Sequence, residues 1–469
     1  MGATNARETH GDVNPAIARA LDRAGGGRGI AGNLVRPLVD GPQTYQAMLD
    51  AIQSARQFVH LENYIIRSDQ TGRRIADALC EARHRGVEVR VLYDSFGSLG
   101  TSSRFWQRLT QAGVRLRSFN PLNPLRPFRS IRRNHRKYLG VDAVVANVGG
   151  LCVGDEWTGN PSTGEPPWRD TAVEVRGPAV PAIEQTFVHA WKLAGGTIED
   201  AGSYGLREPS GDAVVRVLEG LPGKARVLQA VALLGVAAAE RIWITDAYLL
   251  LVPPLQAGLL AAIRDGVDVR LLVPGRTDIP AVRALTRVGY RDLLEGGARI
   301  WEWQGPMLHA KTVVVDDEWF KVGSSNINPS SIFGNYELDL MIRGEVAREA
   351  SHQFRRDLEG AVEVVLKHRR MVPRRIAARW SRRVEPAAKI PRLGPTQAGV
   401  RRRAVMTLRQ VAGGARRSLL GTAVGVTLGI GALFIALPRV MSYLVAGGSL
   451  LLAGLALWVF FRRRGAGEA

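Results

Sequence analysis

A chain of 469 residues with 46% hydrophobic composition can form two or three domains with real cores, which excludes a disordered protein. Its two cysteines, Cys80 and Cys152, lie in separate segments and exclude both a disulfide framework and a cysteine-based zinc site. The formal charge of +20 is uneven: residues 1–366 carry 43 Lys or Arg against 41 Asp or Glu, whereas residues 367–417 carry 16 against one, so the main body lacks the basic character of a nucleic-acid binder.

The first 34 residues are polar and Gly-rich, without the apolar core of a signal peptide, and read as a flexible N-terminal segment. An internal repeat then organises the chain into two halves, residues 35–205 and 206–366. The run FVHLENYII at 58–66 matches RIWITDAYLL at 241–250; both are strand-like and end in a carboxylate and a tyrosine, Glu62 with Tyr64 and Asp246 with Tyr248. RGVEVRVLYD at 85–94 matches DGVDVRLLVP at 265–274, each following a helix that stops at Gly86 or Gly266. GVRLRSFNP at 113–121 then matches GARIWEWQG at 297–305. Strands alternating with helices predict two tandem α/β half-domains with mostly parallel sheets, joined into one bilobal body with a site between them.

The chemistry-bearing residues are duplicated as well. His135, Lys137 and Asp142 have the same spacing as His309, Lys311 and Asp316, and seven residues after each Asp stands Gly149-Gly150 or Gly323-Ser324. On a strand, residues i and i+2 share a face, so each His and Lys project together. Two lysines flanking a phosphodiester would stabilise the charge that grows on its oxygens, while one imidazole attacks phosphorus and the other protonates the leaving oxygen. Each imidazole needs an acceptor to fix its tautomer. Asp170 and Glu337, 35 and 28 residues beyond the histidine of their own half, are the candidates. Asp142 and Asp316 belong to the signature, but their place at strand ends before turns points to holding the local loop.

Between the two halves and the C-terminus, the basic linker 367–417 stands directly before two apolar runs, Ser418–Leu437 and Val440–Phe461, each near the length of a membrane span. Arg416 and Arg417 precede the hairpin, and Arg462, Arg463 and Arg464 open the basic tail 462–469. The positive-inside rule therefore places both ends and the catalytic body in the cytoplasm, with the linker against anionic headgroups. Gly421, Gly425 and Gly429 recur every four residues on one face. The loop PLNPLRPFRSIRRN at 121–134 mixes apolar and basic residues just before His135 and suits either an interfacial contact or a proline-stiffened turn.

The doubled His-x-Lys-x4-Asp pattern, with HAKTVVVDDEWFKVGSSN at 309–326, resembles the phospholipase D superfamily. LVDGPQTYQAMLDAIQSA at 38–55, NHRKYLGVDAVVANVGG at 134–150 and GSSNINPSSIFGNYELDL at 323–340 are most similar to bacterial cardiolipin synthases. The resemblance covers residues 35–362 and implies a phospholipase D-like fold, no cofactor or metal, and a phosphatidyl-histidine intermediate. It implies transfer of a phosphatidyl group between phosphatidylglycerol molecules with release of glycerol, at a bacterial inner membrane. It also implies His135 as nucleophile, His309 as acid, and Ser324 and Asn326 as phosphate-binding residues. Where the family has an asparagine after the first glycine pair, this chain has Cys152, a poorer donor. A hydrolytic phospholipase D would use the same residues; a nuclease is a third reading, disfavoured by the near-neutral body.

Overall fold

The computed structural model describes residues 15–374, apart from 122–131, 161–162, 199–203, 206 and 368–369. The basic linker, the two apolar runs, the tail and most of the proline-rich loop lie outside the described residues. No helix among the described residues is long and apolar enough to cross a membrane.

The first half contributes seven strands: β1 (Ile30–Val39), β2 (Phe58–Asn63), β3 (Glu88–Asp94), β4 (Arg115–Phe119), β5 (Lys137–Val141), β6 (Val145–Gly149) and β7 (Thr171–Arg176). The second contributes β8 (Ala213–Gly220), β9 (Arg241–Thr245), β10 (Asp268–Pro274), β11 (Arg299–Trp303), β12 (Thr312–Val315), β13 (Trp319–Gly323), β14 (Glu337–Arg343), β15 (Ala361–Lys367) and β16 (Arg370–Arg374). All join one sheet, in the order β16-β15-β11-β10-β9-β12-β13-β14-β8-β1-β7-β6-β5-β2-β3-β4. Read outward from the β8–β1 contact, the two sides repeat: β7-β6-β5-β2-β3-β4 on one, β14-β13-β12-β9-β10-β11 on the other.

Every residue of β5 and β13 is buried, as in strands covered on both faces, whereas β1 and β4 also carry exposed positions. A central core joins the halves, with Val173 and Val175 of β7, Val215 of β8, Val322 of β13 and Leu338 and Leu340 of β14 packed around Phe187 and Trp191. Under the first half, Leu61, Val89 and Val91 meet Ile75, Leu79 and Cys80 of the helix Gln70–His84. Asp69 caps that helix by accepting from the Gly72 N–H at 2.9 Å.

Two expectations need correcting. The sheet is mixed rather than mostly parallel: only β2-β3-β4 and β9-β10-β11 run parallel, and the pairings between them are antiparallel. Tight turns after β5 and β12, too short for a parallel crossover, force the hairpins β5–β6 and β12–β13. The N-terminal segment also contributes structure. The helix Pro15–Gly25 buries Leu21 and Ala24, and Ile30 begins a strand paired on both sides.

The same turns explain Asp142 and Asp316. Asp142 and Ala143 have φ of 52° and 49°, and Asp316 and Asp317 of 55° and 56°, so both central residues of each turn are left-handed, the type I′ form that matches strand twist. The Asp142 carboxylate accepts from the backbone N–H of Arg56, Gln57 and Phe58 at 2.7–2.9 Å, and Asp316 accepts from Ala239, Glu240 and Arg241 at 2.7–2.8 Å. Each therefore ties a hairpin to the entry of β2 or β9. The contacts of both carboxylates are these backbone anchors, in keeping with the loop-holding role and not with direct chemistry. Hydrogen bonds to a charged acceptor contribute about 1.5–3 kcal/mol. Asp142→Ala is expected to lower stability by roughly that amount, read as a lower midpoint in chemical unfolding, while the folded fraction keeps its activity.

Candidate functional site

The elements bring both histidines to a cleft of about 680 Å³ lined by His135, His309, Tyr64, Tyr248, Cys152 and Asn326, among others. Each histidine precedes a strand, and each segment crosses to the opposite half. The His135 N–H donates to the Tyr336 carbonyl at 2.9 Å and the Tyr336 N–H to the Arg133 carbonyl at 2.8 Å. The His309 N–H donates to the Arg169 carbonyl at 2.7 Å and the Arg169 N–H to the Met307 carbonyl at 2.9 Å. Two short parallel bridges, Asn134 with Tyr336 and Arg169 with Leu308, thus set each histidine beside the segment carrying the other half's carboxylate.

The consequence is a crossed pairing. His135 Nδ1 lies 2.9 Å from Glu337 Oε2, and His309 Nδ1 lies 2.7 Å from Asp170 Oδ2. The expectation that each histidine uses the carboxylate of its own half is overturned, because the bridges place residues 336 and 169 next to residues 134 and 308. Burial alone would raise both carboxylates, but the partner imidazole and a lysine outweigh it and hold Asp170 and Glu337 at about 2. Both are therefore anionic acceptors that keep the proton on Nδ1 and leave Nε2 as the reactive nitrogen.

Lys137 Nζ donates to the His135 carbonyl at 2.6 Å, and Lys311 donates to the His309 carbonyl. Burial lowers both ammonium groups, Lys311 to about 8. Burial also lowers both imidazoles, His309 to about 4, with Lys311 and Lys137 adding to the effect. A phosphodiester anion set between the lysines would offset their field and restore the basicity of the imidazoles, so the site is built for an anion.

The half-sites differ in how they hold their carboxylates. Ser324 Oγ donates to Glu337 Oε2 at 2.5 Å, accepts from the Leu338 N–H at 3.0 Å and is fully buried. It orients Glu337 and, unlike Asn326, does not line the cleft where the resemblance expects phosphate to bind. Gly150 holds the matching position in the first half, and a Cβ there would stand 2.2 Å from Asp170 Oδ1. The Trp157 indole supplies the missing bond instead, donating to Asp170 Oδ2 at 3.0 Å. Asn326 does line the cleft, and its buried Oδ1 has no hydrogen-bond partner among the described residues. Cys152 faces the same cleft at the matching position, and burial pushes its thiol up.

Several residues of the site were not singled out by spacing. Tyr64 meets His135 edge-on at 5.0 Å and lies 5.2 Å from Lys137 Nζ; Tyr248 meets His309 at 6.0 Å. Trp157 and Trp168 pack on His309 at 5.3 and 5.9 Å. The repeated tyrosines after β2 and β9 carried a signal, whereas the tryptophans occur in one half only. Arg169 forms a two-pronged pair with Asp357 at 2.8–2.9 Å and reaches Asp40 at 3.3 Å, fixing the backbone beside Asp170. Among the described residues, no group of three or more His, Cys, Asp or Glu side chains could hold a metal ion.

The family model described as "Cardiolipin synthase, PLD-like domain" matches residues 48–154 and 233–360, the two segments that carry the histidines. Cardiolipin synthase A of Pseudomonas aeruginosa (strain LESB58) is 34% identical over 363 residues, covering 76% of this chain and 74% of that protein. A cardiolipin synthase of Oceanobacillus iheyensis is 32% identical over 340 residues, covering 71% of each. The crystal structure of a phosphatidylserine synthase from Haemophilus influenzae superposes with a TM-score of 0.58 over 75% of this chain and 92% of that one, at 15% identity, a likeness of fold. With two family segments, relatives matched over most of their length and a doubled histidine cleft, the chain belongs to the phospholipase D-like cardiolipin synthase family.

Proposed function

We propose that the chain transfers a phosphatidyl group from one phosphatidylglycerol to another through a phosphatidyl-histidine intermediate, releasing glycerol. The observation that carries this reading is the crossed pair of imidazoles, each with Nδ1 held by a carboxylate of the other half, facing one cleft with two buried lysines beside them.

In the first step His135 Nε2 attacks phosphorus, the bond from phosphorus to the headgroup glycerol oxygen breaks, and His309 gives that oxygen a proton. In the second step His309 takes the proton of a headgroup hydroxyl of a second phosphatidylglycerol, the oxygen attacks phosphorus, and His135 is released. Lys137 and Lys311 offset the charge on the phosphoryl oxygens in both steps, with the Asn326 amide at the cleft wall as a further phosphate partner. The assignment of His135 as nucleophile rests on the family resemblance. The apolar runs at 418–437 and 440–461 would hold this body at the cytoplasmic face of the membrane, with the linker 367–417 on anionic headgroups.

The deciding assay supplies the purified protein with phosphatidylglycerol vesicles and a chelator and identifies products by mass spectrometry. Cardiolipin and free glycerol are expected, with losses of about 10⁴-fold or more in both His135→Ala and His309→Ala. Phosphatidic acid alone would instead make the enzyme a hydrolase. A phosphoryl group trapped on the peptide containing His309 rather than His135 would exchange the two roles.

Asp170→Asn and Glu337→Gln are each expected to lower kcat by roughly 10³–10⁴-fold. The crossed pairing predicts that Asp170→Asn changes the ¹⁵N tautomer signals of His309, and Glu337→Gln those of His135; pairing within each half requires the reverse. Lys311 is cationic only below its depressed pKa of about 8, so kcat/KM is expected to fall as pH rises through about 8. Lys311→Ala should remove that alkaline limb and cost roughly 10²–10³-fold.

A further inference from the structure

The helix Pro280–Val288, which follows β10, is turned inside out. None of its nine residues is buried. Arg283 and Arg287, one turn apart, share the face directed at the protein. Arg287 makes a two-pronged contact with Glu302 of β11 at 2.6 and 2.7 Å, and Arg283 lies 3.8 Å from the same carboxylate. Ala281, Leu285 and Val288, spaced i, i+4, i+7, fall on the opposite side. Leu285 is 58% exposed and Val288 78%. Ordinary surface helices bury the apolar stripe and solvate the charges; here buried Glu302 holds the charged face inward and the apolar face is left outside.

The start of this helix borders the cleft that holds both histidines. Ile279, itself exposed, and Val282 line the cleft that contains both histidines. The matching connection of the first half, after β3, carries a second apolar pair, Phe96 at 54% and Leu99 at 68% exposed. That loop packs on the cleft: a Cβ on Gly97 would stand 2.8 Å from the Tyr64 ring, and the Arg133 guanidinium lies 5.9 Å from the Phe96 ring centre. Tyr64 and Arg133 are both cleft residues. Both patches follow the C-terminal ends of parallel strands whose neighbours, β2 and β9, deliver Tyr64 and Tyr248 to the site.

We infer that these two apolar patches, Ile279–Val288 and Phe96–Leu99, form a lipid-docking rim that seats the cleft mouth on the phospholipid bilayer. The inference rests on the phosphatidyl-transfer reading, because a two-chain lipid must pass from bilayer to cleft without exposing its acyl chains to water. Apolar side chains at the mouth enter the acyl boundary, while Arg67 and Arg133 on the cleft wall, ion-paired with Glu156 and Asp94, stand on the headgroup side.

The test uses the full-length protein with Val288→Cys carrying an environment-sensitive fluorophore; the two native cysteines are buried. Added vesicles of phosphatidylglycerol and phosphatidylcholine should shift its emission to the blue, and lipids carrying a quencher in the acyl chain should quench it. The same probe placed on the inactive His135→Ala/His309→Ala background should behave identically. Leu285→Glu/Val288→Glu should lower transfer on vesicles by about tenfold or more while leaving transfer on short-chain, monomerically dispersed phosphatidylglycerol unchanged. Phe96→Glu should act in the same direction. An unquenched probe, or acidic variants that match the parent on vesicles, would overturn the rim. A blue shift that appears on raising protein concentration without lipid would overturn it in favour of a contact between two copies. Quenching by lipid without any transfer product would support the rim and overturn the phosphatidyl-transfer reading alone.

Discussion

An imidazole–carboxylate hydrogen bond made across the boundary between the halves, once in each direction, is the constraint on which the rest of the site depends. Neither half contains a complete acid–base unit: His135 relies on Glu337 and His309 on Asp170. The central sheet must therefore hold the halves in fixed register. The β8–β1 contact, the shared core around Phe187 and the Arg169–Asp357 pair do so. Removing one partner of such a buried pair typically costs about 3–5 kcal/mol, so the halves are expected to stay associated through the catalytic cycle.

Duplication followed by divergence is visible in how each carboxylate is supported. The longer Glu337 is fixed by Ser324; the shorter Asp170 comes close to Gly150 and takes its bond from Trp157. The two arrangements satisfy the same electrostatic requirement with different side chains. They also produce different surroundings: His309 sits among Trp157, Trp168 and Tyr248, and His135 beside Tyr64. With Asn326 on one wall and Cys152 on the other, the cleft is chemically lopsided, which suits a reaction in which one imidazole carries the phosphoryl group and the other handles protons.

The lysines show why burial is used here. An ammonium in water would be well solvated and a weak stabiliser of phosphoryl charge; buried beside the imidazoles, Lys137 and Lys311 lower the histidines' basicity until an anion arrives. The buried lysines thus bias the site electrostatically toward an anion. The hairpins that place these groups are held from outside the cleft by Asp142 and Asp316, so signature residues that do not line it still decide where the histidines and lysines stand.

Much of this was legible in the amino-acid order. The repeat, the strand assignments around residues 58–66, 85–94, 241–250 and 265–274, and the histidine and lysine pairs followed from periodicity and duplicated spacing, because a strand's two-residue period forces His and Lys onto one face. Asp170 and Glu337 were identifiable as acceptors by type. Their partners were not, since chain separation favours the near histidine, whereas two backbone bridges formed only in the folded sheet deliver the far one. The parallel sheet expected from strand–helix alternation gave way to a mixed one because the turns at 142–143 and 316–317 close hairpins, a matter of left-handed backbone that spacing does not express. Likewise, nothing in the spacing shows that the Ser324 hydroxyl donates to Glu337, a contact made by tertiary packing. The sequence by itself determined which candidate groups, the paired histidines, lysines and carboxylates, the chain carries; the tertiary structure decided which groups they face, because that depends on contacts between residues more than a hundred positions apart.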